Sequence, residues 1–149
     1  MSTSEKNGIL IVGGGLAATR TAEQLRKSEY TGPVTIVSDE VHLPYDRPPL
    51  SKDVLHADLD DVALKPAEFY TDNNITLRLG SAVTSLDTAA QTVTLADGSV
   101  LGYDELVIAT GLVPKRIPSF PPDLEASGSC DPSTMHWRCA PTRDRRGRR

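Results

Sequence analysis

The chain has 149 residues, 38% of them hydrophobic, and a formal net charge of −4. That is one domain's length, with enough apolar material for a modest core. The polar first eight residues are not a signal peptide, and no apolar stretch approaches the roughly 20 residues of a membrane span. These features exclude the membrane classes and make the cytoplasm the expected compartment.

In chain order, Ile9–Val12 is an uninterrupted apolar run and reads as a buried parallel strand. Residues 13–18 follow as Gly-Gly-Gly-Leu-Ala-Ala, a G-x-G-x-x-A turn. Residues 19–27 have helical character, with Ala22 and Leu25 as inward positions. In a strand–turn–helix of this kind Gly13 allows the tight turn, and Gly15 lets a pyrophosphate approach the backbone. Ala18 is small enough for helix and strand to pack closely. The free N–H groups of the helix start then face the phosphates. A second apolar strand, Val34–Val37, ends at Ser38-Asp39-Glu40. Asp39 falls about 20 residues past the turn, where a dinucleotide fold places its ribose-binding carboxylate. The alternative is a Gly-rich turn in an unrelated α/β protein.

Residues 43–52, LPYDRPPLSK, contain three prolines and form a rigid loop that presents Arg47 and Lys52. By composition alone this is an ordinary surface loop, but it leaves the carboxyl end of a strand, where ligands bind in such folds. Residues 58–64 are an acidic linker. Residues 66–73 suggest a short helix, opened by Pro66 and packed through Phe69 and Tyr70. Residues 75–79 should extend the parallel sheet. Residues 82–86, 91–95 and 99–103 read as three antiparallel strands, the last two joined by an Asp97-Gly98 hairpin. Residues 105–109 are again almost wholly apolar and read as another central strand, ending at Thr110-Gly111. The fold class is α/β: a Rossmann-like parallel sheet with a three-stranded antiparallel excursion packed on it in place of a crossover helix.

With these elements in place, the chain resembles the N-terminal part of the FAD-dependent pyridine-nucleotide oxidoreductases. Within them it is most similar to the ferredoxin, putidaredoxin and rubredoxin reductases that feed oxygenases. The features that carry the resemblance are the turn at 13–18, Asp39, the loop ending Arg-Pro-Pro-Leu-Ser-Lys at Lys52, and the Ala-Thr-Gly strand end at 109–111. The loop is the most specific of them, and the resemblance spans roughly residues 7–125. It implies FAD as cofactor, NAD(P)H as co-substrate and a ferredoxin or rubredoxin-type electron acceptor. It implies that Gly13, Gly15, Leu16, Ala17 and Ala18 contact the FAD pyrophosphate and that Asp39 holds the adenosine ribose. Arg47 and Lys52 would lie along the phosphates and flavin ring, and Val83 would pair its backbone with adenine. Thr110 and Gly111 would lie close to the FAD, with Lys115 or Arg116 at the flavin end. Disulfide reductases of the wider superfamily carry a C-x-x-x-x-C pair, which is missing here: the only cysteines are Cys130 and Cys139. Hydride and single-electron chemistry remain. No catalytic triad or metal cluster is visible, and His42 and His56 are isolated.

The charge is unevenly spread. Residues 1–125 carry 10 Lys/Arg against 18 Asp/Glu, while residues 126–149 carry 6 Arg against 2 Asp. The last stretch has no helical or strand period and no apolar face. A one-base shift of a GC-rich back-translation turns Ala126 onward into a string similar to the family's linker into its NAD(P)H domain. The expected division is therefore a partial FAD/NAD(P)-binding domain over 1–125 and a disordered, frameshifted basic tail over 126–149. The alternative for the tail is a basic arm for nucleic acid or an acidic partner. The second glycine turn and the flavin-gripping Gly-Asp of a whole reductase are not found in these 149 residues, so the chain alone is expected to be inactive. Two other readings remain open, a non-catalytic dinucleotide-binding module and a basic-tailed binding protein. Brief trypsin treatment, followed by mass spectrometry, should remove the tail first and leave a body ending near Arg116 or beyond. A tail that survives as long as the glycine turn would contradict this division.

Overall fold

The computed structural model describes residues 7–45 and 63–112. Arg47, Lys52, most of the proline-rich loop, most of the acidic linker, Lys115, Arg116 and the basic tail lie outside the described residues. The compact unit ends at Gly111.

The described chain runs β1 (Ile9–Val12), α1 (Leu16–Lys27), β2 (Val34–Val37), α2 (Ala67–Asp72) and β3 (Ile75–Arg78). It continues through β4 (Val83–Asp87), β5 (Thr92–Leu95), β6 (Val100–Gly102) and β7 (Glu105–Ile108). Strands β3, β2, β1 and β7 form a parallel sheet in that order, and β4, β5 and β6 form an antiparallel one. The register pairs Val12 with Val37 on one side and with Ile108 on the other. The carboxyl ends of three strands therefore finish level, and the turns that follow them meet at one edge.

Alternation explains why the strands are apolar throughout. Side chains of successive residues point to opposite faces, and both faces of this sheet are covered. Ile11, Val34 and Ile36 lie with Ala18 and Ala22 of α1, Tyr70 of α2 and Ile75 in one core cluster. Leu10 and Val37 lie with Val93, Leu95 and Tyr103 of the antiparallel excursion in the other. The described residues thus form three layers: helices, parallel sheet, antiparallel sheet. The excursion takes the place of a helix, as its alternating pattern predicts.

Two expectations are corrected. Helix α1 starts at Leu16, three residues before residue 19, because Gly15 in an extended conformation is its N-cap and the chain enters the helix at once. Strand β7 is not central: among the described residues it is the outer strand beside β1. Its Glu105 and Ile108 are exposed, Ile108 by 66%. An apolar run signals burial on two faces, but it does not specify how many strands lie beyond it.

Arg26 in the last turn of α1 ties three segments together. Its Nε donates to the Asn73 carbonyl at 2.7 Å, and its Nη1 to the carbonyls of Tyr30 and Gly32 at 2.6 and 2.9 Å. Its Nη2 donates to the Asn74 carbonyl at 2.7 Å. The end of α1, the α1–β2 loop and the α2–β3 turn are so held by one guanidinium. Only a planar fork of donors can do this. Glu23, 12% exposed, joins α1 to the start of α2 by accepting from Arg20, Lys27 and Lys65 at 2.8, 3.1 and 3.2 Å. Arg20 foremost, then Lys27 and Lys65, hold its carboxyl at about 2, well below its ordinary 4.5.

Arg26→Ala should cost about 2–3 kcal/mol, because four carbonyls lose charged donors. Arg26→Lys, with one ammonium for four acceptors, should recover little of it. Thermal unfolding of the three proteins checks this. Glu23 gives a pH test. A depressed folded pKa means that its contribution is complete above about 4.5 and is lost as the pH falls toward about 2. The stability gap between parent and Glu23→Gln should therefore be constant near neutrality and close on acidification; a gap that widens in acid would contradict the assignment.

Candidate functional site

An open cleft of about 370 Å³ lies at the level edge of the parallel sheet. The turns after β1, β2 and β7 and the approach to β4 all contribute to it. Gly13, Gly14, Gly15, Leu16 and Ala17 form one wall, and Asp39 and Glu40 another. Ser81, Ala82 and Val83 come from the β3–β4 connection, and Ala109, Thr110 and Gly111 from the end of β7.

The glycine turn has a physical reason at each end. Gly13 has φ +118, and a Cβ there would run into the Ala109 carbonyl. The main chain after β1 thus rests directly on the main chain after β7. Ladder bonds continue past the strands to hold this contact, with Gly13 N–H donating to the Val37 carbonyl at 2.8 Å and Ala109 N–H to the Val12 carbonyl at 2.7 Å. Gly15 differs: nothing lies within 4 Å of where its Cβ would be. That space belongs to the cleft. Helix α1 has no side-chain cap and no acidic residue in its first turn. Its first N–H groups and the positive end of its dipole therefore face the cleft without competition, which suits an anion.

The opposite wall offers acceptors. Asp39 is exposed in the cleft at the end of β2. The bend that carries it is tied to the β3–β4 connection: Ser81 N–H donates to the Ser38 carbonyl at 2.7 Å, and Gly80 N–H to the Glu40 carbonyl at 2.9 Å. A carboxylate opposite a nest of N–H donors matches the two polar parts of a nucleotide, the vicinal ribose hydroxyls and the phosphates. The donor set therefore fits a dinucleotide.

Eight of the residues expected from the sequence line this one cleft: Gly13, Gly15, Leu16, Ala17, Asp39, Val83, Thr110 and Gly111. Ala18 sits behind it, fully buried in the helix-side core, where its size governs how closely α1 approaches the sheet. Arg47, Lys52, Lys115 and Arg116 lie outside the described residues. Tyr45, which precedes Arg47 in the sequence, is buried and bridged to Ala63, while Leu64 N–H donates to the Pro44 carbonyl at 2.8 Å. Sequence reasoning missed Gly14, Glu40 and Ser81 in the lining, and Ser38 buried behind it. The one available signal was position, since Ser38 and Glu40 flank the expected acid.

A family profile described as pyridine nucleotide-disulphide oxidoreductase matches residues 7–135. The chain belongs to this family. It is 43% identical over 112 residues to rhodocoxin reductase of Rhodococcus erythropolis, covering 74% of this chain and 26% of that protein. It is 42% identical over 106 residues to the ferredoxin–NAD(+) reductase subunit of the benzene 1,2-dioxygenase system of Pseudomonas putida, covering 70% and 26%. Among solved structures, the covalent putidaredoxin reductase–putidaredoxin complex superposes with a TM-score of 0.70 at 38% identity, over 81% of this chain and 28% of that one. The chain therefore spans about a quarter of the length of the curated relatives it matches.

Proposed function

We propose that this chain is the FAD-binding portion of an NAD(P)H-dependent ferredoxin-type reductase, which passes electrons from nicotinamide through flavin to a small iron–sulfur protein. The observation that carries the proposal is the cleft itself. An uncapped helix N-terminus with an open Gly15 stands across from Asp39, in a chain whose relatives are ferredoxin and rubredoxin reductases. FAD would supply the hydride and single-electron chemistry.

The protein's own residues bind and orient. Gly15, Leu16 and Ala17 offer main-chain N–H groups to the pyrophosphate and Gly13, whose own N–H is held by the Val37 carbonyl, gives the close approach, with Ala18 setting the helix behind them. Asp39 accepts from the ribose hydroxyls, and Val83 offers its backbone to the adenine edge. Thr110 and Gly111 border the path toward the flavin. We assign Arg47 and Lys52 to the phosphates and ring, and Lys115 or Arg116 to the flavin end. No helix among the described residues is long and apolar enough to cross a membrane. We assign the protein to the cytoplasm, a reading supported by the lack of cysteine through residues 1–129.

Titration with FAD, followed by flavin fluorescence, tests the reading. Asp39→Ala should weaken binding by about 1.5–3 kcal/mol, the value of a hydrogen bond to a charged acceptor. Equal retention of FAD by variant and parent would remove Asp39 from the ribose, and a parent that prefers NAD to FAD would overturn the cofactor assignment.

A further inference from the structure

The three consecutive glycines are glycine for three different reasons. Gly13 is required by its positive φ and by the Ala109 main chain, and Gly15 by the open approach. Gly14 has neither constraint. Its φ lies outside the left-handed region, so the backbone itself accepts an L side chain. What stands in the way is one buried residue packed directly against the turn: a Cβ on Gly14 would lie 2.5 Å from Ser38 Oγ and 2.7 Å from Ser38 Cβ. Rotating the hydroxyl away leaves the second contact in place, because Cβ does not move with χ1.

Ser38 is itself tightly held. It is 4% exposed, its N–H donates to the Arg78 carbonyl at 2.9 Å, and its carbonyl accepts from Ser81 N–H at 2.7 Å. Its Oγ accepts from Glu40 N–H at 3.2 Å, which folds the chain around Asp39. One small side chain thus touches the phosphate-facing turn with its β-carbon and sets the acid-bearing bend with its hydroxyl.

We infer that Ser38 is a positioning residue that locks the glycine turn and the Asp39-bearing bend into one unit, so that the pyrophosphate and ribose positions are set together. The inference rests on the dinucleotide reading above and gives the middle glycine of the turn its cause.

The two atoms of Ser38 make separable predictions. Gly14→Ala should lower the Tm of the nucleotide-free chain by about 5 °C or more. In that background Ser38→Gly should recover most of the loss, whereas Ser38→Ala, which keeps the β-carbon, should recover little. Gly13→Ala serves as the control: Ser38→Gly should not rescue it, because its obstacle is the Ala109 main chain. The affinity test uses ADP, which carries ribose and pyrophosphate without the flavin, measured by calorimetry well below the Tm of each variant. Ser38→Ala alone should weaken ADP about fivefold through loss of the hydroxyl bond. A merely structural residue would lower Tm and leave the affinity of the folded protein unchanged. Additive Tm losses for Gly14 and Ser38, or ADP affinity unmoved by Ser38→Ala, would overturn the inference. A parent that does not bind ADP would overturn the dinucleotide reading instead, while the Tm cycle, read without nucleotide, still decides whether Ser38 and Gly14 are coupled.

Discussion

The absence of one β-carbon organises the ligand-facing edge of this molecule. At Gly13 the chain leaving β1 lies against the Ala109 carbonyl at the end of β7, with no space between for any side chain. That contact brings the turn into α1 to the sheet edge at the height where the bend after β2 also arrives, because the register places Val12, Val37 and Ile108 level. Everything the cleft offers a ligand follows from this arrangement. The helix start points its N–H groups inward, and the carboxylate of Asp39 stands opposite. Move the turn outward by the thickness of a methyl group and the two polar walls no longer face one space.

The parallel sheet and two walls of the cleft, the glycine turn and Asp39, were legible because they depend on short-range signals, whereas Val83, Thr110 and Gly111 were expected only from the family resemblance. A two-faced apolar strand, a glycine turn and a terminal acid all lie within residues 9–39, and each leaves a local trace. The antiparallel excursion was legible too, since Val93 and Leu95 alternate with Thr92 and Thr94 on a strand buried on one face. What the residues did not disclose was long-range. Arg26 looks like any basic residue in the last turn of a helix, yet two of its four acceptors lie 47 and 48 residues away. Strand β7 has the composition of a central strand and borders only β1 among the described residues. Ser38 looks like a small polar residue after a strand; only the approach of two turns buries it between Gly14 and the bend at Glu40.

The two faces of the parallel sheet are built by different means. On one, α1 and α2 contribute Ala18, Ala22 and Tyr70, small residues where the helix crosses closely and a large one where it stands off. Tyr70 carries its hydroxyl into that core and finds Thr19 at 3.3 Å, so the polar tip is partnered where it is buried. On the other face, Val93, Leu95 and Tyr103 of a thin antiparallel sheet suffice. A three-stranded sheet, with Val83 and Leu101 packed beside these residues, covers what a crossover helix would cover, and its connection hands Ser81, Ala82 and Val83 directly to the cleft.

The Arg26 clamp has a consequence for how this fold tolerates change. All four of its acceptors are main-chain carbonyls, at Tyr30, Gly32, Asn73 and Asn74. A carbonyl is supplied by every residue type, so these four bonds read the path of the two loops, and Tyr30, whose ring centroid lies 5.9 Å from the guanidinium, adds a side-chain contact. Those loops can drift in composition while their course stays fixed, provided that residues able to adopt the left-handed conformation remain at 29 and 74, where φ is 60 and 51. A change of composition in those loops is therefore compatible with an unchanged course of α1 and β3, because the hydrogen bonds of the guanidinium hold main-chain atoms alone there.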